Sequence, residues 1–335
     1  MKRPWFYLFS VLFLIFLYLN YSEITQISRI IRNSTPLYII LAIGCEIVSF
    51  IFLAYAHRES LKVVNVKRSM KECIALVLKA LAVNVTAPTG GTIGSTVFAV
   101  DAKKNNDSSV AAVTGIFLLM VTDFIALSSL VFFSIYYLSS IHELKRSYIL
   151  AVIVFFIIGI TIAGALIIAA ENPSLLKKIF NYVNERYNRI LKFFKKPTNE
   201  GSWIEPSIDE LSAISKSALH RPLQMLDTLV FLVLSHLLGI IALLFTFLAL
   251  QINPYASIII ISYVVVIVFK VSTPTPEGIG FAEGAFALTL NSFGVAPLSA
   301  IAIALTFRFI SFWLPFGLGF GILQRSNLKT KIDLP

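Results

Sequence analysis

Charge is scarce in this sequence. Asp, Glu, Lys and Arg make up 14% of the 335 residues, against roughly 25% in a soluble globular domain. With 57% of residues hydrophobic, too little polar material remains to cover a water-facing surface, which excludes a soluble fold. Metal-binding material is scarce too. Two cysteines and four histidines are scattered along the chain, with none of the paired spacings that hold zinc. Cys45 and Cys73 lie in apolar stretches and read as buried thiols rather than a disulfide. No glycine-rich loop ends in Lys-Ser or Lys-Thr, which excludes ATP-driven pumping by this chain, and no serine sits in a nucleophile elbow. No cofactor, metal or catalytic residue is expected, and the chain does not read as an enzyme.

Long apolar runs are abundant instead. They cover about 4–21, 37–56, 73–100, 110–139, 148–170, 226–250, 255–292 and 297–323, where one crossing takes about 20 residues. Pro and Gly interrupt the runs at 73–100 and 255–292, so each should form two helical pieces. The expected fold is all-α, a polytopic transmembrane helical bundle of about 8–10 membrane segments, two of them Pro/Gly-broken or re-entrant. Lys2 and Arg3 precede the first run like the opening of a signal peptide, but the run ends in Tyr18, Leu19, Asn20 and Tyr21. Without a small-residue cleavage site, a retained helix is expected.

The net charge of +10 would suggest nucleic acid in a soluble protein. Here the basic residues sit in short segments between apolar runs, as loops facing anionic lipid require, and no nucleic-acid partner is expected. Lys2, Arg3, the 57–72 loop, the 171–225 segment and Arg325, Lys329 and Lys331 in the tail carry the excess. The positive-inside rule puts both termini and the connector in the cytoplasm of a multi-pass cell-membrane protein. Lys145 and Arg146 then fall outside, against the rule. Residues 1–335 read as a single integral membrane domain, with a first half over about 1–170, a connector at 171–225 and a second half over about 226–325. In the connector, Asn172 and Pro173 start a helix. Leu176, Ile179, Phe180, Val183, Tyr187, Ile190, Leu191 and Phe194 recur at helical spacing opposite Lys and Arg, a basic amphipathic helix over 174–196 lying on the membrane surface. After a break at 197–206, Ser207 and Glu210 form a capping box for a second helix.

Two motifs share an order of residues. The first holds Asn84, Thr86, Pro88, Gly90, Gly91 and Gly94; the second holds Thr273, Pro274, Pro276, Glu277, Gly278, Gly280 and Glu283. A lysine precedes each, Lys79 and Lys270. Proline removes a backbone donor and glycine frees the chain from the helix. Unpaired backbone groups at membrane depth survive only inside protein or along a wet cavity, so two breaks at matching places in two halves point to a site at their junction. The first broken pair starts from inside and the second from outside, the arrangement of inverted-topology repeats.

The second motif resembles the signature of the flippase-like family, the transmembrane region of lysylphosphatidylglycerol synthases and its stand-alone relatives. Asn84, Pro88, Gly90 or Gly91, and Gly94 fit that family's first element, and Arg308 followed by Trp313 and a glycine-rich helix end also fits. Ser95 stands where the family carries an acidic residue. The resemblance implies a stand-alone relative without the synthases' soluble aminoacyl-transferase domain.

Ionisable residues inside apolar runs are costly and usually face a cavity or a partner. They are Glu46, Lys79, Asp123, His236, Lys270, Glu277, Glu283 and Arg308. Arg308 suits a lipid phosphate or an ion pair with Glu283 or Asp123. Lys79 and Lys270 suit phosphate contacts or snorkelling. Asp123 and Glu46 read as polar glue between helices, and His236 as a hydrogen-bonded packing residue. The expected ligands are membrane lipids, anionic or phosphate-bearing, and the expected function is a lipid flippase or transporter moving a phospholipid or polyprenyl-phosphate headgroup. The alternative is a membrane enzyme, or an accessory subunit of one, for lipid-linked sugar or aminoacyl-lipid metabolism, with Glu277 and Glu283 as acid and base. A homo-oligomer, and a lipid-modifying enzyme or glycosyltransferase as partner, are compatible with either. A cysteine placed at position 195 should react with impermeant maleimide in inverted vesicles and not in intact cells; labelling in intact cells overturns this topology.

Overall fold

A computed structural model describes residues 29–85, 92–193, 204–219 and 221–325, and these are all-α, without a strand. Among the described residues, four long helices and one composite rod are long and apolar enough to cross a bilayer. They are α1 (Pro36–Val63), α4 (Ser109–Ser140), α5 (Arg146–Glu171) and α8 (Pro222–Ala249). The rod is α11 (Pro297–Arg308) joined to α12 (Leu314–Arg325) by one π-helical turn, Phe309–Trp313. The expected helix at 4–21 lies outside the described residues. Helix α1 outruns its apolar stretch, because its last turns bury polar side chains with partners. The Ser60 hydroxyl donates to the Gly115 carbonyl at 2.5 Å, and His57 Nδ1 lies 2.8 Å from the Leu53 carbonyl.

Between these spans lie two shorter pairs, α2 (Met70–Asn84) with α3 (Ser95–Lys104) and α9 (Ala256–Ser272) with α10 (Phe281–Ser292). At about 1.5 Å per residue, none reaches the roughly 30 Å of hydrocarbon. Both pairs are re-entrant hairpins. Arg68, just before α2, binds Asp101 near the end of α3 and Asp107 beyond it, each at 2.6 Å, so the first hairpin leaves through the face it came in by. In the second, Thr289 near the end of α10 shares a 2.8 Å hydrogen bond with Tyr148 in the first turn of α5. Ile261 near the start of α9 packs in the same cluster.

Chain direction places the two hairpins on opposite faces. Thr35 N–H donates to the Ala249 carbonyl at 2.8 Å, so α1 begins where α8 ends. Leu61 and Met225 share the opposite end. Helix α1 lies along α8, α2 packs on α12, and α9 packs on α4 and α5. The first broken helix thus lies against the last described span, and the second against the last span before the connector.

The connector forms α6 (Pro173–Phe193) and α7 (Ile204–Leu219). Asn172 Oδ1 accepts from the Leu175 N–H at 3.2 Å, capping α6 as its sequence implies. Ile179, Val183 and Tyr187 on α6 stay exposed, an apolar stripe without protein cover. Residues 194–196 lie outside the described residues. Helix α7 starts at Ile204 rather than at the Ser207 box, and the expected break at 197–206 ends short of Pro206. Burial of Ile204 with Leu176 and Ile208 sets the start, and Pro206 is tolerated in a first turn, whose N–H groups have no helical partner.

The Arg68 clamp stands at the mouth of the first hairpin. Arg68→Ala should lower unfolding stability by about 2 kcal/mol, in the range of charge-assisted hydrogen bonds. Thermal unfolding in detergent measures this; an unchanged midpoint overturns the clamp's structural weight.

Candidate functional site

The described flanks of the two hairpin tips line common cavities inside the bundle. At the first tip, the Gly94 N–H donates to Asn84 Oδ1 at 2.6 Å. A Cβ on Gly94 would sit 2.7 Å from that oxygen and 3.0 Å from the Ala80 carbonyl, so only glycine lets α3 turn this close to α2. Thr86, Pro88, Gly90 and Gly91 lie outside the described residues. At the second tip, Pro276–Gly278 forms a single 3₁₀ turn. Glu277 takes φ 53° and Gly278 φ 69°, the left-handed region that favours glycine. A Cβ on Gly278 would meet the Lys270 Cα at 2.6 Å. The Thr273 hydroxyl donates to the Phe269 carbonyl at 2.6 Å, satisfying part of the end of α9.

Charges gather at the second tip in two pairs of different character. Arg308 is buried; its Nε donates to Glu283 Oε1 at 2.7 Å and an Nη to the Glu277 carbonyl at 3.0 Å. Its guanidinium lies 4.4 Å from the centre of the Phe312 ring. Glu283 Oε2 also accepts from the Gly280 N–H at 2.8 Å, capping α10. Arg308 therefore ties the rod at its π turn to the tip of the second hairpin, and the ion-pair reading holds. Lys270 and Glu277 approach to 2.9 Å, but Glu277 Oε2 lacks an aligned hydrogen-bond donor. The lysine side chain is 36% exposed and the carboxylate 1%, so the lysine is the partner free to turn towards a ligand.

Two adjoining cavities of about 190 and 160 Å³ share His57, Ala80, Asn84, Lys270 and Glu277 as walls. Gly94, Ser95 and Asp123 line the first, and Arg308, Ser311 and Phe312 the second. Lys79, Thr273, Pro274, Pro276, Gly278, Gly280 and Glu283 are absent from the described walls; apart from Lys79 they shape or brace the second tip. Beside the second cavity lies an apolar crevice of about 290 Å³ between α1, α2 and the rod, with Phe50 and Val77 common to both. Glu46 is its single charged wall residue, and Glu46 Oε2 is buried without a hydrogen-bond partner among the described residues.

Sequence reasoning missed His57 as a cavity wall, because it falls one residue past the end of an apolar run. The position of Asp123 in mid-run was visible, but not its cavity. Asp123 Oδ1 lies 2.7 Å from His236 Nε2, and His236 Nδ1 lies 2.9 Å from the Tyr263 hydroxyl. His236 is thus the centre of a hydrogen-bonded chain across three helices, in keeping with a hydrogen-bonded packing residue.

Residues 6–319 match the family described as the lysylphosphatidylglycerol synthase TM region. A UPF0104 membrane protein of Methanocaldococcus jannaschii is 23% identical over 318 residues, covering 93% of this chain and 91% of that one.

Arg308→Ala strands the Glu283 carboxylate in the bundle and should cost about 3–5 kcal/mol, the range for half of a buried pair. The double variant Arg308→Ala with Glu283→Ala should recover part of that loss. Thermal unfolding midpoints of the two variants decide it: equal loss in both overturns the coupling.

Proposed function

The chain belongs to the family of the lysylphosphatidylglycerol synthase transmembrane region, and on that premise we propose that it moves a phosphate-bearing lipid headgroup across the bilayer. The observation that carries this reading is the polar cavity at the hairpin tips beside an apolar crevice, with Phe50 and Val77 in both walls. A phospholipid or polyprenyl phosphate has these two characters. Its headgroup needs a hydrated path through hydrocarbon, whereas its tails can stay in lipid. Lys270 supplies the charge, leaving Glu277 for a phosphate when the headgroup arrives. Amide donors such as Asn84 supply orientation.

The inverted halves suit alternating access, with the hairpins opening from opposite faces around a fixed site. The basic excess of the connector supports a cytoplasmic face for it, and the uncovered stripe on α6 would then rest on the inner leaflet of the cell membrane. The enzyme reading has less support. Glu277 and Glu283, its acid and base, each already hold a cation.

The test is reconstitution into liposomes with headgroup-labelled phosphatidylglycerol and, separately, a labelled polyprenyl phosphate. One of the two labelled lipids should cross faster than in empty liposomes. The double variant Lys270→Gln with Glu277→Gln, which strands no buried charge, should fall to the empty-liposome rate with its thermal midpoint retained. Wild-type rates equal to empty liposomes for both lipids overturn the proposal.

A further inference from the structure

Three polar side chains meet inside the membrane span without a role in binding a headgroup. Asp123 on α4, His236 on α8 and Tyr263 on α9 form one hydrogen-bonded chain, with contacts of 2.7 and 2.9 Å. One end is wet: Asp123 is a wall of the cavity that also holds Lys270 and Glu277, and its side chain is 34% exposed. The other end is sealed, for Tyr263 is buried at 7% exposure among Leu243, Phe286 and Phe307. Interhelical polar contacts in a bilayer stabilise packing by about 1 kcal/mol, which a single serine or asparagine would supply. A titratable triad open to a cavity at one end exceeds that need.

The hydrogen positions follow from the partners. A carboxylate only accepts, so the His236 Nε2–H donates to Asp123 Oδ1. In the neutral imidazole, Nδ1 then accepts from the Tyr263 hydroxyl. In this state every group is satisfied and the Asp–His pair carries one negative charge. One further proton, entering from the cavity by way of Asp123 and the imidazole ring, makes the imidazolium and brings the pair to neutrality. The Nδ1–H then donates to the Tyr263 oxygen, whose own hydrogen turns away. Histidine is the side chain whose charge changes in the physiological range, and the tyrosine hydroxyl can serve both states.

We propose that the Asp123–His236–Tyr263 chain is a proton-binding site that couples headgroup movement to the proton gradient. This rests on the transport reading above. With the pair neutral, the cavity wall loses a negative charge and Lys270 attracts a phosphate more strongly. With the proton gone, Asp123 repels the phosphate. Linkage makes this reciprocal, so a bound anionic headgroup draws a proton onto the pair. The charged and titratable groups facing the pair are Glu46 and His57 of α1, Lys270 of α9 and Glu277 at the second tip, with Arg308 of the rod lining the adjoining cavity. Arg308 is neutralised by Glu283 and Lys270 by Glu277, so the charge of the pair is what changes the balance.

Two measurements test this. In the first, ¹⁵N-histidine spectra of the detergent-solubilised protein follow the resonance that His236→Gln removes. It should report both imidazolium and neutral imidazole as pH is varied, and added phosphatidylglycerol should raise the imidazolium share at a fixed pH. A single charge state throughout overturns the proposal. In the second, liposomes holding a pH-sensitive dye report proton flux while labelled lipid movement is followed. Wild type should acidify the lumen together with lipid movement under an imposed gradient. His236→Gln should move lipid at the gradient-free rate with the gradient stimulation lost. Lipid movement indifferent to the gradient in wild type overturns the coupling and leaves the transport reading standing. Absence of any lipid movement in wild type removes both.

Discussion

The cost of an unpaired backbone group in hydrocarbon, several kcal/mol each, is the constraint from which this architecture follows. Two hairpins end in the middle of the membrane, where a regular helix ladder has been abandoned. Each tip is repaired locally, the first by Asn84 capping the Gly94 N–H and the second by Glu283 capping the Gly280 N–H. Repairs of this kind bring polar side chains to membrane depth, and those need partners of their own. Arg308, Glu277 and Lys270 are gathered at the second tip for that reason, and a polar cavity between the tips is the by-product.

The two ion pairs at that tip divide the labour. The Arg308 pair is aligned, buried and braced by an aromatic ring, so opening it would leave two charges in low dielectric. The Lys270 pair is close but unaligned, with a lysine that reaches water. A cation held in this second way is one that a competing anion can take over.

Much of this was legible in the sequence. Apolar runs set the spans, the repeated Pro and Gly located both breaks, and Arg308 in mid-run announced a buried partner. Three things were not legible. Whether a broken run crosses or returns depends on where its ends are tied, and Arg68 finds Asp101 and Asp107 only after folding. The start of α7 depended on Ile204 finding Leu176 across a chain break in the apolar pattern. His236 has the same local sequence whatever its partner; what it bonds to is the carboxylate of Asp123, more than a hundred positions away in sequence.

The packing of α2 on α12 bears on how the protein is made. The α12 backbone at Gly319 runs so close to the Leu78 carbonyl that a side chain there would collide with it. Helix α2 is among the first described elements to leave the ribosome and α12 is the last. Helix α2 already shares a core with α1, α3 and α4, so its partners are made long before α12, and a side chain at position 319 would be met by a surface that those earlier helices have built.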